Sequence, residues 1–268
     1  MVRLSETQRY EFATSIIIKA GELASSYFSD LSKLVIEKKG HQDLVSEADK
    51  NVEIFIRDQI SAMFPNDNII GEEGGASPGT GAINSSYIWV IDPIDGTANF
   101  VSGIPAWTVV IALVKDDVVI AGFIFDPLQN ELFTATAGEG AFCNGVRLAV
   151  SNAQSLHDGS VAVGFSNRSK AGFINKLVTQ IVDDGGVFFR NASGAMSLAY
   201  VAAGRLIGYS EDHMNAWDYL AGQLMVKEAG GAIEEQNITS VLQQGGRVIA
   251  SNKPIFASLK KMTEIALK

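Results

Sequence analysis

Three short acidic segments stand out by residue type and spacing: Gly71-Glu72-Glu73, Asp92-Pro93-Ile94-Asp95-Gly96-Thr97, and Trp217-Asp218 followed by Ala221-Gly222. In the central one, the apolar run Trp89-Val90-Ile91 leads straight into Asp92, and Pro93 and Gly96 predict a turn that aims Asp92, the Ile94 carbonyl and Asp95 at one point. An oxygen-only set of this kind suits a hard divalent cation such as Mg2+. Gly96-Thr97-Ala98-Asn99 reads as the start of a short helix, whose free backbone N–H groups accept phosphate oxygens. Taken singly, Asp-Pro and Asp-Gly pairs are ordinary turn residues in which the aspartate caps backbone. The joint string points instead to metal-assisted chemistry on a phosphate.

Other reactive residue types offer less. His41, His157 and His213 are widely separated and fit no zinc spacing. His213, five residues before Asp218, is near enough in sequence to touch a substrate, although packing or surface exposure is its default role. Cys143 is the single cysteine, so no internal disulfide forms, and beside Asn144-Gly145 it reads as an inert hairpin residue. A reducing, cytoplasmic setting fits this usage. The formal net charge of -9, from 30 Asp and Glu against 21 Lys and Arg, argues against nucleic acid as a partner. No apolar run is long enough to span a bilayer, and Met1 to Glu6 lacks the apolar core of a signal peptide, so no membrane partner is expected.

The elements that must position the acidic segments can be read from periodicity. At 268 residues and 47% hydrophobic, the chain can bury a large core. Ser5-Glu6-Thr7-Gln8 has capping-box form, and Phe12, Ile16, Ala20, Leu23 and Phe28 follow at helical spacing. Lys33 to Gln42 reads as a polar loop. A second helix opens at Ser46 with Val52, Phe55, Ile56, Ile60 and Met63 inward, and Asp49 falls in its first turn. From Ile88 to about Val150, short β-rich runs joined at Lys115-Asp116-Asp117 and Asn144-Gly145 predict an antiparallel meander. Strands and helices then alternate: strands over 161–165, 187–190 and 206–210, and helices near 171–182, 195–203 and 217–229. Glu211 is thus expected just beyond a strand. Residues 74–81 read as a glycine-rich loop. The shift in pattern near Asn152 divides the chain into an α+β half, residues 1–151, and an α/β half, residues 152–268, within one continuous unit.

Together with Asp43-Leu44-Val45, Asp49, Asn99-Phe100-Val101 and Glu228-Ala229-Gly230-Gly231, the three acidic segments resemble the signature of the inositol monophosphatase family, from about residue 5 to 255. The resemblance implies a layered αβαβα sandwich, a homodimer, and Mg2+-dependent hydrolysis of a small phosphorylated polyol. It implies two or three Mg2+ ions: one held by Glu72, Asp92 and the Ile94 carbonyl, a second by Asp92, Asp95 and Asp218, and a weaker third near Glu72 and Asp49. Glu72 with Thr97 would activate the attacking water, and Lys38 matches a lysine of a loop over the site. Asp95, Gly96, Thr97, Ser193, Gly194, Glu211 and Asp218 match substrate-contacting positions, and Glu211 favours an inositol phosphate. Ala192-Ser193-Gly194-Ala195 departs from the family's Gly-Ser/Thr-Ala-Ala, which changes the substrate rim. Related phosphatases act on histidinol phosphate, adenosine 3′,5′-bisphosphate or fructose 1,6-bisphosphate. A non-catalytic regulatory protein on the same fold would be marked by a lost ligand carboxylate, and none is lost here.

Overall fold

The computed structural model describes residues 5–40, 43–82, 85–166, 169 and 171–268; the side chains of residues 33, 38–40, 43–45 and 171 lie outside that description. Helix α1 (Glu6–Phe28) starts at the predicted capping box, with Gln8 N–H donating to Ser5 Oγ and Ser5 N–H to Gln8 Oε1. It buries Ala13, Ile16, Ile17, Ala20 and Ala24. Where the sequence suggests a loop, a two-stranded ribbon forms instead from β1 (Ile36–Gly40) and β2 (Asp43–Ser46), antiparallel with Ile36 opposite Ser46. Such a ribbon is held by backbone pairing, so it leaves little trace in side-chain pattern.

Helix α2 (Glu47–Met63) begins at Ser46, whose backbone N–H donates to Asp49 Oδ2 at 2.9 Å. Its inward stripe is Asp49, Val52, Glu53, Ile56 and Ile60. Met63, expected inward, is exposed although it keeps the phase of Val52 and Ile56: it is the last residue of the helix, and the C-cap residue Phe64 takes the buried place there.

Eight strands form the first sheet: β3 (Asn68–Gly71), β4 (Gly75–Ser77), β5 (Tyr87–Asp95), β6 (Thr108–Lys115), β7 (Val118–Asp126), β8 (Glu131–Thr136), β9 (Gly140–Cys143) and β10 (Val146–Arg147). Their order is β10-β9-β8-β7-β6-β5-β3-β4, and β5 to β10 make the expected antiparallel meander. Both predicted turn pairs take the left-handed backbone that hairpins of this twist need, with φ of 47° and 60° at Asp116 and Asp117 and 48° and 78° at Asn144 and Gly145. Between β5 and β6 lies the short α3 (Thr97–Val101).

The second sheet contains β11 (Ser160–Val163), β12 (Val187–Phe189), β13 (Gly208–Met214), β14 (Ala232–Ile233) and β15 (Gly246–Ser251), in the order β12-β11-β13-β15-β14. Around it run α4 (Ala171–Asp183), α5 (Gly194–Ala202), α6 (Ala216–Glu228), α7 (Ile238–Gln244) and α8 (Lys253–Ala266). Strand β13 continues past Ser210, so Glu211 is a strand residue opposite Val248 rather than one beyond the strand end. The partner strand β15 comes from a stretch to which periodicity assigned no element.

Helices α1 and α2 cover one face of the first sheet, α5 and α6 lie between the two sheets, and α4 and α8 cover the far face of the second. This is the αβαβα sandwich that the resemblance implies. Sandwiched between sheets, α6 is apolar nearly all round, burying Tyr219, Leu220, Ala221, Leu224, Met225 and Val226. No helix among the described residues is long and apolar enough to cross a membrane.

A buried ion pair ties α1 to the first sheet. Arg9 Nε and Nη2 donate to Asp67 at 2.7 and 2.8 Å, and Ser85 Oγ and Trp89 Nε1 donate to the same carboxylate. The guanidinium lies over the rings of Tyr87 and Phe64. Removing one partner of such a pair strands a charge in the interior, at a cost of about 3–5 kcal/mol. Urea denaturation of Asp67→Ala should show a loss of that order; a loss below about 1 kcal/mol, as for an exposed pair, would contradict the account.

Candidate active site

Strand β5 does not turn at Pro93 as the sequence suggests. Its pairing with β6 runs in register to Asp92 opposite Val110, slips, and resumes with Asp95 opposite Thr108. One extra residue is accommodated there, a β-bulge at the position where Pro93 has no N–H to give the ladder. The bulge re-aims the strand end, and Ile94 N–H donates to Asp92 Oδ1 at 3.0 Å. Gly96 follows with φ 98°, a backbone that L side chains rarely adopt, and a Cβ there would lie 2.9 Å from the Ala106 carbonyl oxygen.

Each of the other carboxylates is held by a different element. Asp95 accepts from Ser193 Oγ and from the backbone N–H groups of Gly194 and Ala195, so a strand residue of the first sheet satisfies the start of α5. Asp218 closes a capping box at the start of α6 by accepting from Asn215 N–H at 2.8 Å. Glu72 follows the last residue of β3, and its N–H reaches the Ile91 carbonyl of β5 at 3.3 Å. Glu72, Asp92, Asp95, Thr97, Glu211 and Asp218 all line one cavity of about 560 Å³.

Burial raises the Asp92 pKa well above the usual carboxylate range, and the charges of Glu72, Asp95 and Asp218 raise it further. Asp95 is also raised by burial, against the opposing hydrogen bonds from Ser193 and the α5 amides. Among the described residues lining the cavity, Arg190 is the one Lys or Arg, and its Nη2 donates to the Phe165 carbonyl. As the side chains stand, no three His, Cys, Asp or Glu among the described residues are gathered to hold a metal ion. The chemistry of the donor set nevertheless fits a hard divalent cation: it is oxygen-only, buried at Asp92 and Asp95 and half-buried at Glu72 and Asp218, and strongly negative.

The family model described as the inositol monophosphatase family matches residues 5–267. The chain belongs to the inositol monophosphatase family. A relative named Nus factor SuhB, from Salmonella typhimurium, is 37% identical over 261 residues, covering 93% of this chain and 95% of the relative. An inositol-1-monophosphatase of Mesorhizobium japonicum is 36% identical, covering 91% of both chains. The crystal structure of the extragenic suppressor protein suhB from Bartonella henselae matches with a TM-score of 0.88 at 32% identity, covering 95% of this chain and 98% of that one.

Of the residues singled out on the inositol monophosphatase pattern, Glu72, Asp92, Ile94, Asp95, Gly96, Thr97, Ser193, Gly194, Glu211 and Asp218 are brought to the cavity. Asp49 is not. It is fully buried behind Thr97, with Oδ1 accepting from Thr97 Oγ1 at 3.0 Å and Oδ2 from Ser46. The side chain of Lys38, and His41, lie outside the described residues. Two residues at the cavity do more than their sequence reading gives them. Asn99 Nδ2 bridges the carbonyls of Ala106 and Asn191, joining the two halves. His213, near enough in sequence to touch a substrate although packing or surface exposure is its default role, lines the cavity, with its Nε2 on the Gln244 carbonyl.

Glu211 is buried, with Tyr209 Oη donating to its Oε2 at 2.5 Å. Burial, then the charges of Asp218, Asp212 and Asp95, push its pKa from 4.5 up to about 8 despite that bond. The folded protein therefore holds this proton more tightly than the unfolded chain, and stability falls as pH rises from 4.5 through about 8. In chelator, Glu211→Gln should flatten that fall, gaining on the wild type between pH 5 and 8 in thermal denaturation. Parallel pH profiles for the two proteins would show that the carboxyl is not so perturbed.

Proposed function

We propose that this chain is a Mg2+-dependent phosphatase that hydrolyses a small phosphate monoester, with inositol monophosphate as its substrate. The observation that carries the reading is the convergence of Glu72, Asp92, Asp95 and Asp218 on one cavity beside Thr97. A phosphate dianion would be repelled from four carboxylates unless cations lay between them. Glu72, Asp92 and the Ile94 carbonyl would hold one Mg2+, and Asp92, Asp95 and Asp218 a second. When bound, Mg2+ offsets the phosphate charge, lowers the pKa of water and favours departure of the alkoxide.

The chain's own groups do the rest. Thr97 Oγ1 has two acceptors within reach, Asp49 Oδ1 and the Ile94 carbonyl, so its proton is directed away from the cavity and its lone pairs can accept from the attacking water. Asp49 therefore acts through Thr97 rather than as a third-ion ligand. Glu72 accepts the proton that water gives up. Glu211 meets a hydroxyl of the leaving alcohol, which favours a polyol, and Ser193 with Gly194 shapes the rim beside Asp95. The reading takes residues 1–151 and 152–268 as two halves of one unit, because Asp95 of the first caps α5 of the second.

The relative named inositol-1-monophosphatase supports this substrate. The relatives named Nus factor SuhB favour a second reading, a Nus-factor role alongside hydrolysis. With a net charge of -9, such a role would rest on protein contacts rather than on a nucleic acid backbone.

Phosphate release by purified protein tests the proposal, using inositol monophosphate, histidinol phosphate, adenosine 3′,5′-bisphosphate and fructose 1,6-bisphosphate with and without Mg2+. The highest kcat/KM should fall on inositol monophosphate, with no turnover in chelator and less than about a tenth of it in Asp92→Asn. Full activity in chelator would remove the metal chemistry, and a different best substrate would remove the assignment. Glu211→Gln should raise KM for the polyol roughly tenfold with kcat nearly fixed, and leave a simple aryl phosphate unaffected. An equal loss on both substrates would show that Glu211 does not select the alcohol.

A further inference from the structure

Glu72 and Thr97, the two groups assigned to the attacking water, come from different segments, and one face of α2 reaches both. Asp49 on that face accepts from Thr97 Oγ1. Glu53, one turn further along, is 1% exposed and accepts from the backbone N–H groups of Glu73 and Gly74, each at 2.8 Å, and from Arg57 Nε at 2.6 Å. Glu72 is thus gripped from both sides: its own N–H is on β5, and the next two amides are on α2. Arg57 extends the clamp, with Nη2 donating to the Gly75 carbonyl and Nη1 to Ser77 Oγ in β4.

The loop lies directly on this carboxylate. A Cβ at Gly71 would fall 2.5 Å from Glu53 Oε1, and one at Gly74 would fall 2.9 Å from it. Burying a carboxylate is costly unless charge and hydrogen bonds offset the lost water. Here two of the three donors that the geometry supplies to Glu53 are the main chain of the loop that carries Glu72.

We infer that Glu53 is a positioning residue for Glu72: with Asp49, it makes the inward acidic stripe of α2 set the separation of Glu72 and Thr97. The inference rests on the proposed role of Glu72 as a Mg2+ ligand and base. Glu53→Gln keeps the shape but turns one oxygen into a donor that faces a donor, so the loop loses a tie.

The test compares wild type, Glu53→Gln, Gly74→Ala and Glu72→Gln by three measurements: the Mg2+ dependence of phosphate release, calorimetric Mg2+ binding to chelator-stripped protein, and Tm in chelator. Glu53→Gln should raise both the Mg2+ needed for half-maximal rate and the calorimetric Kd by roughly tenfold, as disruption of groups behind a ligand does. Saturating Mg2+ should recover much of the rate. Gly74→Ala, whose methyl enters the clamp from the loop side, should shift both in the same direction, and it decides the matter if Glu53→Gln does not fold. A lower Tm with Mg2+ affinity within about twofold of wild type would leave Glu53 a merely structural group and overturn the inference. If Glu72→Gln itself changes neither rate nor binding, the fault lies with the role of Glu72, and the inference falls with it.

Discussion

Five carboxyl groups line one cavity, and the mutual repulsion of four of them, Glu72, Asp92, Asp95 and Asp218, is the constraint on which the site's construction turns. In a partly buried space, like charges facing one another drive side chains apart or force protons onto them. The Asp92 carboxyl registers this directly, pushed up by burial and by its three neighbours. Each group is therefore held by something rigid: Asp92 by a bulge in β5, Asp95 by the start of α5, Asp218 by its own capping box, and Glu72 by the pairing of its N–H with β5. Backbone amides donate to Asp92 and Asp218, and Asp95 takes two amides and a serine hydroxyl. Amides oriented by a helix start favour negative charge without neutralising it, which leaves the cavity's field available to a ligand.

The same arrangement explains why the two sheets must be locked together. Asp95 belongs to the first sheet and the helix it caps belongs to the layer between the sheets, so any slip of one half relative to the other would release both. Asn99 repeats the tie by donating across to the Asn191 carbonyl. The apolar surface of α6, buried on nearly every side, supplies the bulk of the packing that keeps Asp218 at the cavity's edge.

Much of this was legible in residue types. Ser5 to Gln8 marked a helix start, Asn144-Gly145 marked a hairpin, and the run ending in Asp92 marked the acidic segment that reaches the cavity, because each is a local device whose chemistry is complete within a few residues. What stayed hidden depended on distant partners. Pro93 suggested a turn, whereas the pairing of β5 with β6 carries the strand on to Asp95 through a bulge. Glu211 looked like a residue after a strand until β15, far along the chain, extended β13. Glu53 has the residue type of a solvent position; its one visible signal is phase, since it falls with Asp49, Ile56 and Ile60 on the inward face of α2.

The central claim is that this repulsive cavity is built for divalent cations. The most direct measurement is anomalous diffraction at the manganese edge from crystals of the wild-type protein grown in Mn2+ as a stand-in for Mg2+. The account predicts anomalous density between Glu72, Asp92, Asp95 and Asp218. An ordered cavity without such density, in crystals whose solution holds saturating Mn2+, would contradict it.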